Sequence, residues 1–369
     1  MKIMFIAYHD ILTEARTQEI LKCAEGLGDA YFVSYSKPKN SEKCISLLTG
    51  NGIRGYRSFI KDSIKYIKEI NPDVIILHDN YTSIILAWLI KFRKNTFIIY
   101  DSSELYIDLK PKKLKQRLAQ IMQYIENKYL RYADVTIAAN IERASIMEEL
   151  QKLEKKPLVF DNIHKIEDSY DEIKCNEKYG EYFRKDVFTV LYAGGISENR
   201  KTYELADAVG KLGNRYSLIV IGAASNEEKN KFKKYLEERK YYNINYLGFI
   251  PREEFRFLLN KACVSVSAFA QDTLNNKFCA SGKVYESIFE GTPILTTENP
   301  PLKRICKEYG VGISTSNFKD GIKSLQENYD IYCNNVVKYA KQINYEERID
   351  ILQKSLENFI EVGSKSFNK

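Results

Sequence analysis

The chain has 369 residues, 44% hydrophobic and 28% charged, with 18 glycines and 8 prolines. That length predicts two or three domains, and that composition excludes long disorder, collagen-like repeats and long flexible linkers. The 56 basic residues exceed the 49 acidic ones by 7, a surplus too diffuse to mark a nucleic-acid binder.

Short apolar runs alternate with helical periodicity along nearly the whole chain. Residues 3–7 read as a buried strand, 13–26 as a helix and 30–34 as a second strand. Ile60, Ile64, Ile67 and Ile70 recur at helical spacing, and Asn71-Pro72 stops that helix. Residues 74–77 are a continuous apolar strand ending in His78-Asp79. After another helix, the strand over 96–100 ends in Asp101-Ser102-Ser103-Glu104.

The pattern restarts at 187–192, which runs into Gly194-Gly195. A helix over 203–212, a strand over 216–221 ending in Gly222 and a charged helix over 226–240 follow. Shorter strands are expected at 244–247, 264–267, 293–296 and 311–314. The tail, 345–360, is a helical pattern with no strand after it. Apolar runs without alternation suit parallel sheets covered on both faces, so the fold class is α/β. The polar, acid-rich stretch 167–185 is the expected boundary, giving domains 1–175 and 186–344 and a tail helix over 345–369.

Seven cysteines at 23, 44, 175, 263, 279, 306 and 333 form no CxxC pair, and their number is odd. A disulfide framework or structural zinc is therefore not expected, and the reading is a reducing cytoplasm. His9, His78 and His164 are too scattered for a metal centre, so no metal ligands are assigned. The start MKIMFIAYHD does not read as a signal peptide. The longest apolar stretch, 84–90, is far short of the roughly 20 residues that span a bilayer.

Ligands of such sheets collect at the carboxyl ends of strands. Two polar constellations fall there. In LYAGGISENRK, a strand opens into Gly194-Gly195, and Arg200-Lys201 stand just before a helix. Glycines admit an anion to backbone N–H groups, and Arg offers a fork matched to phosphate. The plain alternative is a strand-to-helix turn with two solvated cations. In NKFCASGKVYESIFEGTPILT, Ser281-Gly282 can open a helix with free N–H groups. Lys283 in its first turn is unfavourable beside the helix dipole unless an anion is bound, and Glu286 shares its face. A Lys for phosphate and a Glu for ribose hydroxyls suit one nucleotide; the alternative is an ordinary helix with a Lys–Glu pair. Glu290 is expected to face solvent. The chain lacks GxGxxG, which argues against a nicotinamide dehydrogenase.

ASGKVYESIFEGTPILTTENPPL resembles the donor-site signature of GT4-type retaining glycosyltransferases of GT-B fold. YAGGISENRKTYEL resembles their phosphate-loop segment, and YDSSELY their YDxHE element. DVIILHDNY and YADVTIAANIERASIM match the style of their N-terminal domain. The likeness covers most of the chain, in order. It implies two facing Rossmann-like domains, an acceptor-binding one first and a nucleotide-sugar-binding one second, with a C-terminal helix crossing back to the first. By position, Arg200 and Lys201 would meet the donor pyrophosphate, with Gly194, Gly195, Ser281, Gly282 and Lys283 beside the phosphates. Glu286 would hold ribose hydroxyls, and 248–251 would flank the base. Three positions depart: Phe278 stands where the first acid of Glu-x7-Glu falls, Gly195 where an Arg is frequent, and Ser103 at the histidine of YDxHE.

The implied activity transfers a sugar from a nucleotide-diphosphate sugar to a glycan or lipid-linked acceptor, with retention, without metal and with no further cofactor. It suits surface-polysaccharide or glycoconjugate synthesis in bacteria. Glu104, Asp101, Asp79 or His78 would serve near the acceptor hydroxyl, against the alternative that each caps a strand end or braces the scaffold. His9 has the same two readings. The cluster Lys110, Lys112, Lys113, Lys115 and Arg117 either touches anionic lipid at the inner face of the plasma membrane or is a solvated surface. Two rivals stand beside this reading: a non-catalytic GT-B partner of an active transferase, and a sugar-nucleotide epimerase. No nucleic-acid partner is expected.

Overall fold

Lys2–Ala7 forms the first strand, β1, because the five residues after Lys2 are apolar and find cover on both faces, where all are buried. In the computed structural model, which describes residues 1–8, 14–34, 44–47, 52–92, 95–108 and 117–367, β1 lies inside a seven-stranded sheet. Its companions are β2 (Asp29–Ser34), β3 (Cys44–Ser46), β4 (Val74–His78), β5 (Phe97–Ser102), β6 (Val135–Ala138) and β7 (Leu158–Val159). The order is β3-β2-β1-β4-β5-β6-β7, and every pairing is parallel. Helices α1 (Ala15–Leu27), α2 (Gly52–Ile70), α3 (Ser83–Phe92), α4 (Arg117–Tyr129) and α5 (Ile141–Leu150) connect the strands. β4 and β5 are buried throughout, as unbroken apolar runs require. β3 and β7, at three and two residues, are too short for a periodic signal to mark them.

The second sheet has the order β10-β9-β8-β11-β12-β13, again parallel throughout. Its strands are β8 (Phe188–Ala193), β9 (Tyr216–Ile221), β10 (Ile244–Gly248), β11 (Val264–Ser267), β12 (Ile294–Thr296) and β13 (Gly312–Ser314). Around it lie α6 (Glu172–Tyr179), α7 (Thr202–Gly210), α8 (Asn226–Arg239), α9 (Arg252–Lys261), α10 (Leu274–Lys277), α11 (Gly282–Phe289), α12 (Pro300–Tyr309), α13 (Phe318–Glu327) and α14 (Tyr329–Gln342). In each sheet the strand order reverses once, between β1 and β4 and between β8 and β11, which is the doubly wound arrangement.

The chain divides into Met1–Asn162 with Asn344–Lys369, and Ile163–Ile343. The division falls earlier than the stretch 167–185. Cys175 and Tyr179 within that acid-rich segment, and Ile166 just before it, bury against Ile219, Phe257 and Leu258 of the second unit. Those few apolar residues outweigh the charged ones around them in deciding where the segment goes.

The last helix, α15 (Arg348–Phe367), belongs to the first unit. Leu352, Leu356 and Ile360 enter the core formed by Ile20, Cys23, Leu27 and the β1–β4 strand faces, with Ile349 and Phe359 packed at its margin. Each such side chain contributes about 1.5–3 kcal/mol relative to exposure. Arg348 pairs with the Glu19 carboxylate of α1 and donates to Asp161 O at 3.1 Å. No helix among the described residues is long and apolar enough to cross a membrane.

Candidate active site

Six parallel strands send their carboxyl ends to one edge of the second sheet. β8 runs out into Gly194, whose N–H donates to Ile221 O at 2.9 Å, and Gly222 N–H donates to Gly248 O at 2.8 Å. Gly222 sits at φ +141, and a Cβ there would lie 2.2 Å from Gly194 O. Only glycine lets the loops after β8 and β9 approach this closely. Tyr192 and Thr202 hydroxyls both donate to Gly195 O, at 3.0 and 3.2 Å, and so fix the loop.

Arg200 is exposed, and its guanidinium carbon lies 4.3 Å over the Phe269 ring. Ala270 N–H donates to Asn199 O at 2.7 Å. The loops after β8 and β11 are thereby joined across the point where strand order reverses. Phe269 N–H donates to Thr297 Oγ1 at 3.0 Å, and the Ser267 and Ser281 hydroxyls are 2.8 Å apart. One polar edge thus gathers Gly194, Gly195, Arg200 and Ser281. Lys201 takes a left-handed conformation at φ 55 to open α7. Its Nζ lies 2.6 Å from Glu204 on the same helix.

Ser281 stands at the N-terminus of α11 without capping it, its hydroxyl being turned to Ser267. Lys283 and Glu286 share a helix face as their spacing predicts: Lys283 Nζ is 3.0 Å from Glu286 Oε2. Lys283 also lies over Phe255, 4.6 Å from the centroid. The Glu286 carboxylate is only 6% exposed, and its other oxygen is 3.5 Å from Arg252. The His164 ring packs on Gly282 so closely that a Cβ there would meet it at 2.9 Å. Glu290 does not face solvent as expected. It is drawn inward by Arg256 at 2.8 Å and Asn260 at 2.6 Å, cationic and amide donors from α9 that no local pattern reveals.

Sequence reasoning missed Phe269, Arg252 and His164. A lone aromatic two residues past a strand end is the one signal for Phe269. Arg252 and His164 are distant in sequence from the groups they touch.

The first unit concentrates charge at the carboxyl ends of β4 and β5. His78 Nδ1 is 2.7 Å from Asp101 Oδ2, and Arg16 from α1 holds the other oxygen at 2.5 Å. All three side chains are buried. Burial works against the carboxylate, but the Arg16 charge and His78 hold Asp101 below the usual range. Burial likewise opposes the His78 imidazolium. The Asp79 charge, together with the ring's own hydrogen bond to Asp101 and its approach to Glu14, outweighs it and pushes His78 up to about 10. Asp79 accepts from Ser103 N–H at 2.8 Å and Ser103 Oγ at 2.6 Å. Ser103, standing at the histidine position of YDxHE, thus caps the strand-end acid. The Glu104 carboxylate is 44% exposed and lies 3.6 Å from Arg143. Among the four candidates Glu104, Asp101, Asp79 and His78, Glu104 is the one open to a ligand, while Asp101 and His78 brace each other and the buried Asp79 is held by Ser103. His9 and residues 110–116 lie outside the described residues; Arg117 begins α4 as an exposed side chain.

No protein-family model matches the chain, and no curated protein matches it. Solved structures do match. Sucrose-phosphate synthase from Thermosynechococcus elongatus superposes with a TM-score of 0.77 at 14% identity, over 98% of this chain and 100% of that one. HepE from Anabaena, in complex with UDP-glucose, gives 0.73 at 12% identity over 98% and 100%. WaaG, a glycosyltransferase involved in lipopolysaccharide biosynthesis, gives 0.67 at 12% identity over 95% and 98%. At these identities the likeness is one of fold. The chain has two Rossmann-like units of the GT-B type.

Proposed function

We propose that this chain is a retaining, metal-independent glycosyltransferase of the GT4 type. It moves a sugar from a nucleoside-diphosphate sugar to a glycan or lipid-linked acceptor in surface-polysaccharide or glycoconjugate synthesis. One observation carries the reading: Arg200 stacked on Phe269 and the Ser281–Lys283–Glu286 turn meet at the carboxyl edge of one parallel sheet. The fold likeness to HepE, whose structure holds UDP-glucose, supports it.

On this reading the second unit takes the donor. Arg200, Lys201 and Lys283, with the N–H groups around Gly194, Gly195 and Gly282, receive the diphosphate. Glu286 accepts from the ribose hydroxyls. As the anomeric C–O bond breaks, negative charge grows on the departing diphosphate, and fixed cations stabilise it without reorganising. The first unit takes the acceptor, whose hydroxyl attacks from the face the diphosphate leaves. Glu104 is the open carboxylate this unit offers it, with Asp101 and His78 holding the strand ends in place.

A thermal-shift screen against nucleoside diphosphates, followed by a donor-turnover assay, tests this. A ligand at 100 times its Kd adds about 2.7 kcal/mol. Absence of any shift together with absence of transfer or donor hydrolysis overturns the proposal. Binding without turnover favours instead a non-catalytic partner subunit, the reading that Phe278 at the first-acid position and Ser103 at the histidine position support.

A further inference from the structure

We propose that the outer face of α2 docks on an anionic membrane surface. Arg54, Arg57, Lys61, Lys65 and Lys68 recur at three- and four-residue spacing, and all are exposed. They form one ridge about 21 Å long at 1.5 Å rise per residue. The opposite face of the helix, with Tyr56, Phe59, Ser63 and Ile67, is buried. Five cations face two acids on this helix. Asp62 is occupied by the Ser58 hydroxyl at 2.8 Å, and Glu69 lies 3.7 Å from Lys65. A large part of the chain's diffuse surplus is therefore concentrated on nineteen residues.

Charge alone would suit any polyanion. The apolar groups at both ends of the ridge select the partner. Ile53 at its start is 61% exposed and Phe92 of α3, beside its end, 67%. Lys68 Nζ lies 5.7 Å over the ring of Trp88, which in turn lies 6.0 Å from the Phe92 ring. Cations level with headgroup phosphates and aromatic or aliphatic side chains at the acyl boundary are the pattern of interfacial binding. Single-stranded nucleic acid asks instead for a groove lined with stacking platforms, and the outer face of one regular helix is not a groove. The inference extends the proposed transfer without depending on it, because none of these residues belongs to the donor edge.

The test is co-sedimentation of the full chain with phosphatidylcholine vesicles, alone and with phosphatidylglycerol added. Binding is expected only to the anionic vesicles, and it should weaken as salt rises. Each lysine contributes about five-fold, equivalent to about 1 kcal/mol near the surface. Lys61→Ala/Lys65→Ala/Lys68→Ala should therefore lower partitioning roughly 100-fold, and replacement of the same three by Arg should preserve it. Phe92→Ala should remove the part that survives high salt. These side chains are exposed, so the melting temperature should hold in each variant, as should any response to nucleoside diphosphate. Failure of the unmodified chain to bind anionic vesicles overturns the inference. So does a triple alanine variant that binds like the parent, or binding to heparin with none to vesicles.

Discussion

Arg16 and His78 grip opposite oxygens of Asp101, at 2.5 and 2.7 Å, with all three side chains out of solvent. The triad ties α1 to β4 and β5 at the carboxyl edge of the first sheet. Asp79 and Glu14 also lie within 3.6 Å of the ring, so a proton on His78 offsets carboxylate charge that Arg16 alone does not.

This arrangement makes the first unit sensitive to alkali. His78 is raised from 6.5 to about 10 in the folded chain. A raised histidine gives stability that is fully present below the unfolded value and is lost as pH rises through the folded one. Unfolding free energy should therefore decline between about pH 6.5 and 10, by on the order of a few kcal/mol. The single tryptophan, Trp88, lies in the first unit, so its emission during urea unfolding follows that unit. His78→Gln should lower stability at pH 7 and flatten the alkaline slope. A parent protein with equal midpoints at pH 7 and 10 would remove the charge assignment.

Much of the fold was legible because buried parallel strands announce themselves as unbroken apolar runs. Residues 74–77 and 216–221 fall inside β4 and β9. The acid-rich segment before β8 misled, since Ile166, Cys175 and Tyr179 decide its packing and no periodicity links them. At the candidate site, Lys283 and Glu286 were readable because three residues on a helix make neighbours. Arg16 with Asp101, 85 residues apart, and Arg252 with Glu286 were not, because such pairings exist only once the sheet is assembled.

Glu286 and Lys283 make a second prediction. The Glu286 carboxylate is held by Lys283 and Arg252 while almost wholly buried. Removing one partner of a charge-assisted contact costs about 1.5–3 kcal/mol. Glu286→Ala and Lys283→Ala should each weaken nucleoside-diphosphate binding roughly 10- to 100-fold. Calorimetry on folded variants checks this, and unchanged affinity in both would take these residues out of the donor site.

Turnover should survive chelation. The motive lies in the sequence, which has three scattered histidines and lacks a paired-carboxylate DxD motif. Fixed cations at the donor edge, led by Arg200 and Lys283, would carry the leaving-group charge. Donor turnover measured with and without EDTA decides the point. Complete loss in EDTA, restored by Mn²⁺ or Mg²⁺, would sink a metal-free mechanism.

The tail helix should be indispensable to the first unit and dispensable for nucleotide binding by the second. Leu352, Leu356 and Ile360 of α15 are buried in the same core as Ile20, Cys23 and Leu27. The Gln353 side chain sits against Gly26 so closely that a Cβ there would overlap its amide oxygen at 2.0 Å, so the absence of a side chain at Gly26 makes room for Gln353 between the two helices. Arg348 adds a pairing with Glu19, and its guanidinium lies 4.6 Å over Phe160. Truncation after Asn344 strips all of this at once and leaves the α1 face open to water. Leu352→Ala and Leu356→Ala are milder, at about 2–5 kcal/mol each. The truncated chain should lose the Trp88 unfolding transition, or shift it far to lower urea, and should lose transfer. Its nucleoside-diphosphate affinity should persist, because the residues proposed for the donor lie within Ile163–Ile343. A truncated chain whose Trp88 transition matches the parent would show that α15 does not support the first unit.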